Sequence, residues 1–223
     1  GILLFGLVAM SACQYTYFAA ISYSNAGTAT VLEYIAPVLV LLYLCVRSRR
    51  LPRMLELLCI ALAVGGTFLL ATHGDPSSMV LSEKALFWGL LAAVSLAMYT
   101  VQPVGLLERY GSMTVTAWGM ILGGLALAAL FQPWNIAVQI DRQVVIAMLI
   151  VVLIGSVLAF SIHLEGIRCV GPRKGSLLSA IEPVSATFFS VVLMGAQFQW
   201  MDFLGFVCIL STIVVLALDK EKT

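Results

Sequence analysis

The chain has 223 residues, of which 61% are hydrophobic and only 10% are charged, and its mean hydropathy is +1.05. A soluble domain carries roughly 25% charged residues, so this composition excludes an ordinary soluble protein and indicates an integral membrane protein. The net charge is only +1, and no basic patch is interleaved with aromatic residues, so we expect the lipid bilayer as a partner and no nucleic acid.

Eight apolar runs are long enough to cross a bilayer core of ~30 Å at ~1.5 Å per residue. They cover residues 2–22, 27–46, 54–72, 85–103, 113–131, 143–164, 174–195 and 199–218. The segments between them are short and rich in turn formers and charges, as at residues 47–53, 108–111 and 171–174. The sequence therefore predicts an all-α polytopic membrane protein with no separate soluble domain.

Basic residues are distributed unevenly between the two sides of this membrane protein. If residue 1 starts in the cytoplasm, ten of the twelve basic residues lie on the cytoplasmic side, and only Lys84 and Arg142 lie on the other. The ten are Arg47, Arg49, Arg50, Arg53, Arg109, Arg168, Arg173, Lys174, Lys220 and Lys222. The positive-inside rule then predicts a cell-membrane protein with both ends of this chain in the cytoplasm.

Two of the runs carry a carboxylate and a proline in their apolar interior, Glu33 with Pro37 and Glu182 with Pro183. A charge at such a depth costs ~2.5–3.5 kcal/mol on insertion scales, so it is rarely without a function. A proline removes one backbone hydrogen bond and bends the helix. We therefore expect a substrate site near the membrane midplane, where these two helices face each other.

Two further residues are expected to line this site. Ser179 shares a polar stripe with Glu182, because small polar residues recur there at helical spacing, and Gln14 lies deep in the first run. Structural interpretations remain open: Glu182 would bond to backbone freed by Pro183, and Glu33 would reach interfacial water by snorkelling. Tyr17 at its depth is typical of an aromatic belt.

Glycines in pairs or at four-residue spacing predict close helix packing. They are Gly65, Gly66, Gly119, Gly123, Gly124 and Gly155.

The chain also contains a weakly repeated pattern. Sliding Pro37 onto Pro183 lays Val38 on Val184, and the order of long run, tight turn, proline-bearing run, turn and small-residue run occurs in 2–72 and again in 143–218. The runs at 85–103 and 113–131 have no upstream counterpart, so we expect two helices to be absent before residue 1. The parent would then be two inverted five-helix repeats, with eight of ten transmembrane helices present and the first two absent.

Two junctions carry a family resemblance. Residues 17–38 read YFAAISYSNAGTATVLEYIAPV, and residues 166–184 read GIRCVGPRKGSLLSAIEPV. Both resemble helix junctions of the EamA-like members of the drug/metabolite transporter superfamily. The resemblance implies ten helices in two inverted repeats, with residues 1–72 as the last three helices of the first repeat and residues 82–218 as the whole second repeat.

The resemblance further implies a secondary active transporter of small organic metabolites such as amino acids, more often an exporter, that works by alternating access without ATP hydrolysis. The sequence has no phosphate-loop motif and no metal-ligand spacing, so we expect neither a cofactor nor a metal, and no enzymatic activity. Protons are the expected coupling ion, and a homodimer is left open. Two alternatives remain: a membrane-embedded enzyme, or a non-transporting membrane protein or inactive fragment.

Overall fold

The computed structural model describes residues 1–75, 81–135, 141–178 and 181–218; for residues 170–178, 181, 183, 184 and 216–218 it describes the backbone alone. Regular structure in these residues is entirely helical. The helices are α1 (Ile2–Leu4), α2 (Ser11–Tyr23), α3 (Ala26–Glu33), α4 (Ala36–Arg47), α5 (Met54–Thr72), α6 (Glu83–Val101), α7 (Val104–Tyr110), α8 (Ser112–Phe131), α9 (Arg142–Ile150), α10 (Ala159–Leu178), α11 (Ile181–Met194) and α12 (Trp200–Leu218). Two π-helical segments, Phe5–Met10 and Val151–Leu158, join α1 to α2 and α9 to α10.

Six helical segments in the described residues are long and apolar enough to cross a membrane: Ile2–Tyr23, Ala26–Arg47, Met54–Thr72, Glu83–Tyr110, Ser112–Phe131 and Arg142–Cys169. Two shorter apolar helices follow at Ser185–Met194 and Trp200–Val215. Most side chains of Arg142–Cys169 are both apolar and exposed, which suits a helix that faces lipid. The prediction of an all-α membrane protein is confirmed.

Two of the predicted turns are wrong. Residues 108–110 belong to α7. The helix before it is interrupted at Pro103, and a proline at the start of a helix is tolerated, so α7 continues from there. This helix ends at Gly111, whose φ of 76° suits glycine. Residues 171–174 lie inside the backbone of α10, which continues to Leu178. A proline in a membrane helix removes only one hydrogen bond, so Pro172 does not end α10.

The chain forms two compact units. The first consists of Gly1–Ala12 and Tyr99–Gly175. In it, α8 packs on the π-helical segment Phe5–Met10. The approach is close, since a Cβ added at Gly119 of α8 would lie only 2.8 Å from the Phe5 ring. The Ser11 hydroxyl donates to the Gly6 carbonyl at 2.9 Å and stabilises this segment.

The second unit consists of Cys13–Met98 and Ser176–Thr223, and it holds the carboxylates of interest. In this unit α12 packs along α5, and α11 packs on α3. A Cβ added at Gly66 would lie 2.8 Å from the Gly205 carbonyl oxygen, so α5 and α12 are in close contact. The buried core of this unit joins α3, α5 and α12 through Leu32, Leu70 and Ile209.

Ionic contacts stand at both ends of α5. At its start, Arg50 donates two hydrogen bonds to Glu56, at 2.7 and 2.8 Å, and the Arg53 N–H donates a third at 2.7 Å. Glu56 is only 1% exposed, so its charge depends on these donors. At the other end, His73 Nε2 lies 2.9 Å from the carboxylate of Asp202 on α12. Arg50 is therefore paired with Glu56, and His73 with Asp202.

Candidate functional site

A break in the second apolar segment presents the first carboxylate. Pro37 has no N–H, so the Glu33 carbonyl lacks its usual backbone donor four residues ahead. Helix α3 therefore ends at Glu33, and α4 starts at Ala36 with the proline in its first turn. At the break, the Tyr34 N–H is shared between the carbonyls of Thr30 and Val31, at 3.1 and 3.2 Å. The predicted interruption of this helix by Pro37 is confirmed.

The start of α3 is tied to α11. Asn25 caps α3, because its side-chain oxygen accepts from the Thr28 N–H at 2.9 Å. The Gly27 N–H, another donor in the first turn of α3, donates to the Ser190 hydroxyl of α11 at 3.0 Å. A Cβ added at Gly27 would lie 3.1 Å from the Thr187 Cα, so only a glycine allows this approach without adjustment. The two helices are thus held together at one end by backbone contact.

A second contact joins the same two helices about two turns further along α3. The Tyr34 hydroxyl donates to Glu182 Oε2 at 2.9 Å. Tyr34 is only 2% exposed, whereas Glu182 is an exposed residue. A hydroxyl hydrogen bond therefore fixes one oxygen of an accessible carboxylate.

Glu33 itself is buried. Its side chain is 5% exposed, and it lies close enough to Glu182 for the two carboxylates to repel each other when both are charged. Burial of this extent does not fit the alternative in which Glu33 reaches interfacial water by snorkelling. One carboxylate of α3 and one of α11 are therefore within electrostatic reach of each other.

Two side chains of α2 lie beside the carboxylates. Cys13 is buried at 6% exposure, and both Cys13 and Tyr17 are within electrostatic reach of Glu33 and Glu182. The Tyr17 hydroxyl lies 2.8 Å from Thr30 Oγ1, which itself donates to the Ala26 carbonyl at 2.7 Å. Because a threonine hydroxyl has a single hydrogen, Tyr17 must donate to Thr30. The Tyr17 hydroxyl therefore bonds to a buried helix, and the position of its ring in an aromatic belt stays a prediction.

The other predicted site residues are placed as follows. Pro37 is buried in the first turn of α4, directly after the break. Gln14 is half-buried on α2, next to Cys13, and the described hydrogen bonds do not join it to either glutamate. The backbone of Pro183 lies in the first turn of α11, where its missing N–H costs nothing. Ser179 lies outside the described residues.

Sequence reasoning did not name Tyr34 as a site residue, and it did not identify Tyr17 as a neighbour of the two carboxylates. Tyr34 shares a helix face with Thr30 and Glu33, and this spacing is a signal that could have found it. Tyr17 left no comparable signal, because its position near the end of an apolar run is equally typical of an interface anchor.

The chemistry of this cluster is set by the carboxylates of Glu33 and Glu182. In the portions of the chain described above, no three His, Cys, Asp or Glu side chains come together as metal ligands. Two carboxylates, one of which accepts from the Tyr34 hydroxyl, offer hydrogen-bond acceptors and, when ionised, negative charge. A group with N–H donors and positive charge is the natural complement.

A family model covers almost the entire chain. The model of the EamA-like transporter family matches residues 1–72 and 83–218. The chain belongs to the EamA-like transporter family. The family resemblance drawn from residues 17–38 and 166–184 is therefore confirmed.

Individual proteins agree with the EamA assignment. The chain is 36% identical over 221 residues to the uncharacterized inner membrane transporter YicL of Salmonella typhimurium, which covers 99% of this chain and 74% of YicL. It is 25% identical over 175 residues to the uncharacterized transporter YetK of Bacillus subtilis, which covers 74% of this chain and 52% of YetK. A solved crystal structure with 19% sequence identity shares the fold, with a TM-score of 0.67 over 97% of this chain and 75% of the other.

Membership of the EamA-like family places these carboxylates in a membrane protein. The chain is a multi-pass membrane protein of a transporter family, and a small-molecule substrate is the partner that this family implies. The carboxylates of Glu33 on α3 and Glu182 on α11 lie in its second unit.

Proposed function

We propose that this EamA protein is a secondary active transporter that exports small organic metabolites such as amino acids, and that Glu33 and Glu182 bind the substrate amine. The observation that carries the proposal is the meeting of two carboxylates on packed helices, with Tyr34 donating to Glu182 at 2.9 Å. Gln14, Ser179, Pro37 and Pro183 complete the proposed substrate site.

Electrostatics supports an amine as the substrate group. A charged carboxylate within an apolar segment costs ~2.5–3.5 kcal/mol, and repulsion adds to this cost when Glu33 and Glu182 are both ionised. Two other ionisable side chains of this unit are paired elsewhere, Arg50 with Glu56 and His73 with Asp202. An ammonium group or a proton would neutralise the pair, so protons are the proposed coupling ion.

The break before Pro37 supports alternating access. Helices α3 and α4 are separate rigid pieces joined at Tyr34 and Ile35, so one piece can change its angle while the other stays packed on α11. We propose that residues 1–72 and 82–218 are inverted repeats and that eight segments of the chain cross the membrane with both ends cytoplasmic. Inverted repeats whose broken helices meet at a central site are a common transporter design.

The proposal is tested by export. Cells that express the protein are challenged with a panel of toxic amino acids and amine analogues, and efflux of the compounds it protects against is then measured directly. We expect wild type to raise tolerance to at least one compound, and Glu33→Gln and Glu182→Gln to abolish this effect at equal expression. Glu108→Gln is the matched control, because Glu108 is an exposed glutamate of the other unit. Unchanged efflux by Glu182→Gln would remove this carboxylate from the site.

A further inference from the structure

We infer that Tyr34 is a positioning residue that links Glu182 to the bend between α3 and α4, and that a substrate ammonium group displaces its hydroxyl from the carboxylate. The inference rests on the proposed function, because it requires Glu182 to receive the substrate. Tyr34 would then couple substrate binding to the bend, a role that substrate binding alone does not require.

The backbone at the break sets the position of the Tyr34 hydroxyl. Tyr34 has φ −73° and ψ 10°, so it leaves the helical path at this residue. The Glu182 helix is held separately, because Ser190 anchors α11 to Gly27 near the start of α3. A change of angle at the break therefore moves Tyr34, which follows α3, relative to Glu182, while α3 stays held on α11 at Gly27.

The hydrogen-bond chemistry favours exchange of the hydroxyl for an ammonium group. Tyrosine offers one O–H donor and no charge, whereas an ammonium group offers three N–H donors and a full positive charge. When both are ionised, Glu33 and Glu182 repel each other, and both attract a cation that binds beside them. The ammonium group therefore outcompetes Tyr34 for Oε2, and the break loses the side-chain bond that fixes its angle.

This exchange gives the ligand a differential affinity for the two bend angles. A ligand shifts a conformational equilibrium only by as much as it binds one state better than the other. While Tyr34 bonds to Glu182, one oxygen of that carboxylate is occupied. When Tyr34 is released, both carboxylates can accept hydrogen bonds from the ammonium group. Ammonium binding therefore favours the conformation in which the break has opened.

Tyr17 does not have this role, although it lies beside the same carboxylates. Its hydroxyl bonds to Thr30 in the body of α3, one turn before the break, and not to Glu182. Tyr43 lies outside the site on α4, is 45% exposed, and accepts a bond from Arg47 at 3.4 Å. Tyr17→Phe and Tyr43→Phe are therefore matched hydroxyl deletions for comparison with Tyr34→Phe.

The test is amide hydrogen exchange over residues 33–39 of the purified protein in nanodiscs, which does not depend on transport. Tyr34→Phe is expected to speed exchange there by roughly tenfold, because a hydrogen bond to a carboxylate is lost, while Tyr17→Phe and Tyr43→Phe change it little. Ethylammonium is expected to speed exchange of the same segment in wild type and not in Tyr34→Phe or Glu182→Gln. Tetraethylammonium, which has no N–H donor, is expected to have no effect.

The outcomes separate the inference from the proposed function. Equal exchange in wild type and Tyr34→Phe would overturn the positioning role, and a wild type indifferent to ethylammonium would overturn the displacement. A Tyr34→Phe effect that persists in the Glu182→Gln background would show that the tyrosine acts through another group, which also overturns it. Failure of the proposed function would instead appear as normal efflux by Glu182→Gln, whatever the exchange result.

Discussion

The backbone N–H of Gly27 donates to the hydroxyl of Ser190 at 3.0 Å, and this bond joins the start of α3 to α11. Gly27 is the second residue of α3, so its N–H is one of the donors that a helix start cannot satisfy internally. Asn25 satisfies the next donor, on Thr28. The α3–α11 contact that carries Glu33 and Glu182 thus depends on a helix cap supplied by a different helix.

Ser190→Ala is expected to destabilise the protein. It leaves the Gly27 N–H without its hydroxyl partner, which costs about 1–3 kcal/mol for a buried donor. Thermal unfolding in detergent should show a midpoint lowered by a few degrees relative to wild type. Ser22→Ala is the control, because the Ser22 hydroxyl makes an exposed bond within its own helix. Equal midpoints for both variants would show that the cap contributes nothing.

Two adjacent glycines of α5 are expected to respond with opposite signs. A Cβ at Gly66 would lie 2.8 Å from both the Gly205 carbonyl oxygen and the Ile209 side chain, whereas a Cβ at Gly65 meets nothing within 4 Å. Gly66→Ala should therefore separate α5 from α12 at a cost of about 1–3 kcal/mol. Gly65→Ala should stabilise α5 by up to about 1 kcal/mol through helix propensity. Unfolding midpoints measured side by side test both, and a stabilised Gly66→Ala would contradict the packing described.

Arg50→Ala is expected to destabilise the start of α5. Glu56 is 1% exposed and now accepts from Arg50, Arg53 and Cys45. Of these donors, the variant would keep the Arg53 N–H and the weak Cys45 thiol. The cost of an uncompensated buried carboxylate is about 3 kcal/mol, and water reaching the partly exposed Arg50 site reduces it. Arg49→Ala, at an exposed position, is the control for loss of positive charge. The same assay applies, and indistinguishable midpoints would contradict a structural role for the ion pair.

Pro37→Ala is expected to separate activity from stability. The alanine restores an N–H for the Glu33 carbonyl, so α3 and α4 can merge and draw Tyr34 away from Glu182. Because the alanine supplies the backbone donor that the Glu33 carbonyl lacks, the variant should be as stable as wild type or more so, while efflux falls at least tenfold. Pro52→Ala, in the connection before α5, is the control and should transport normally. Full transport by Pro37→Ala would show that the break is not needed.

The sequence predicts the parts of this site that depend on local chemistry. The break follows from the missing N–H of Pro37, and the membrane class follows from the length and hydropathy of the runs. The Tyr34–Glu182 bond could not be predicted, because it depends on the register between α3 and α11, and no periodicity relates residues so distant in sequence. Gly65 and Gly66 are likewise equivalent in the sequence, and only the approach of α12 distinguishes them. The turn expected at 171–174 was wrong because one lost hydrogen bond does not decide a membrane helix.

The central claim is that Glu33 and Glu182 act as one substrate site. The most direct measurement is substrate counterflow in proteoliposomes for Glu33→Gln, Glu182→Gln and the double variant, using a compound identified by the tolerance screen. If both carboxylates hold the same ammonium group, each single variant should lose at least tenfold in rate, and the double variant should lose little more than either single. Wild-type rates in either single variant, or losses that multiply in the double variant, would contradict a shared site.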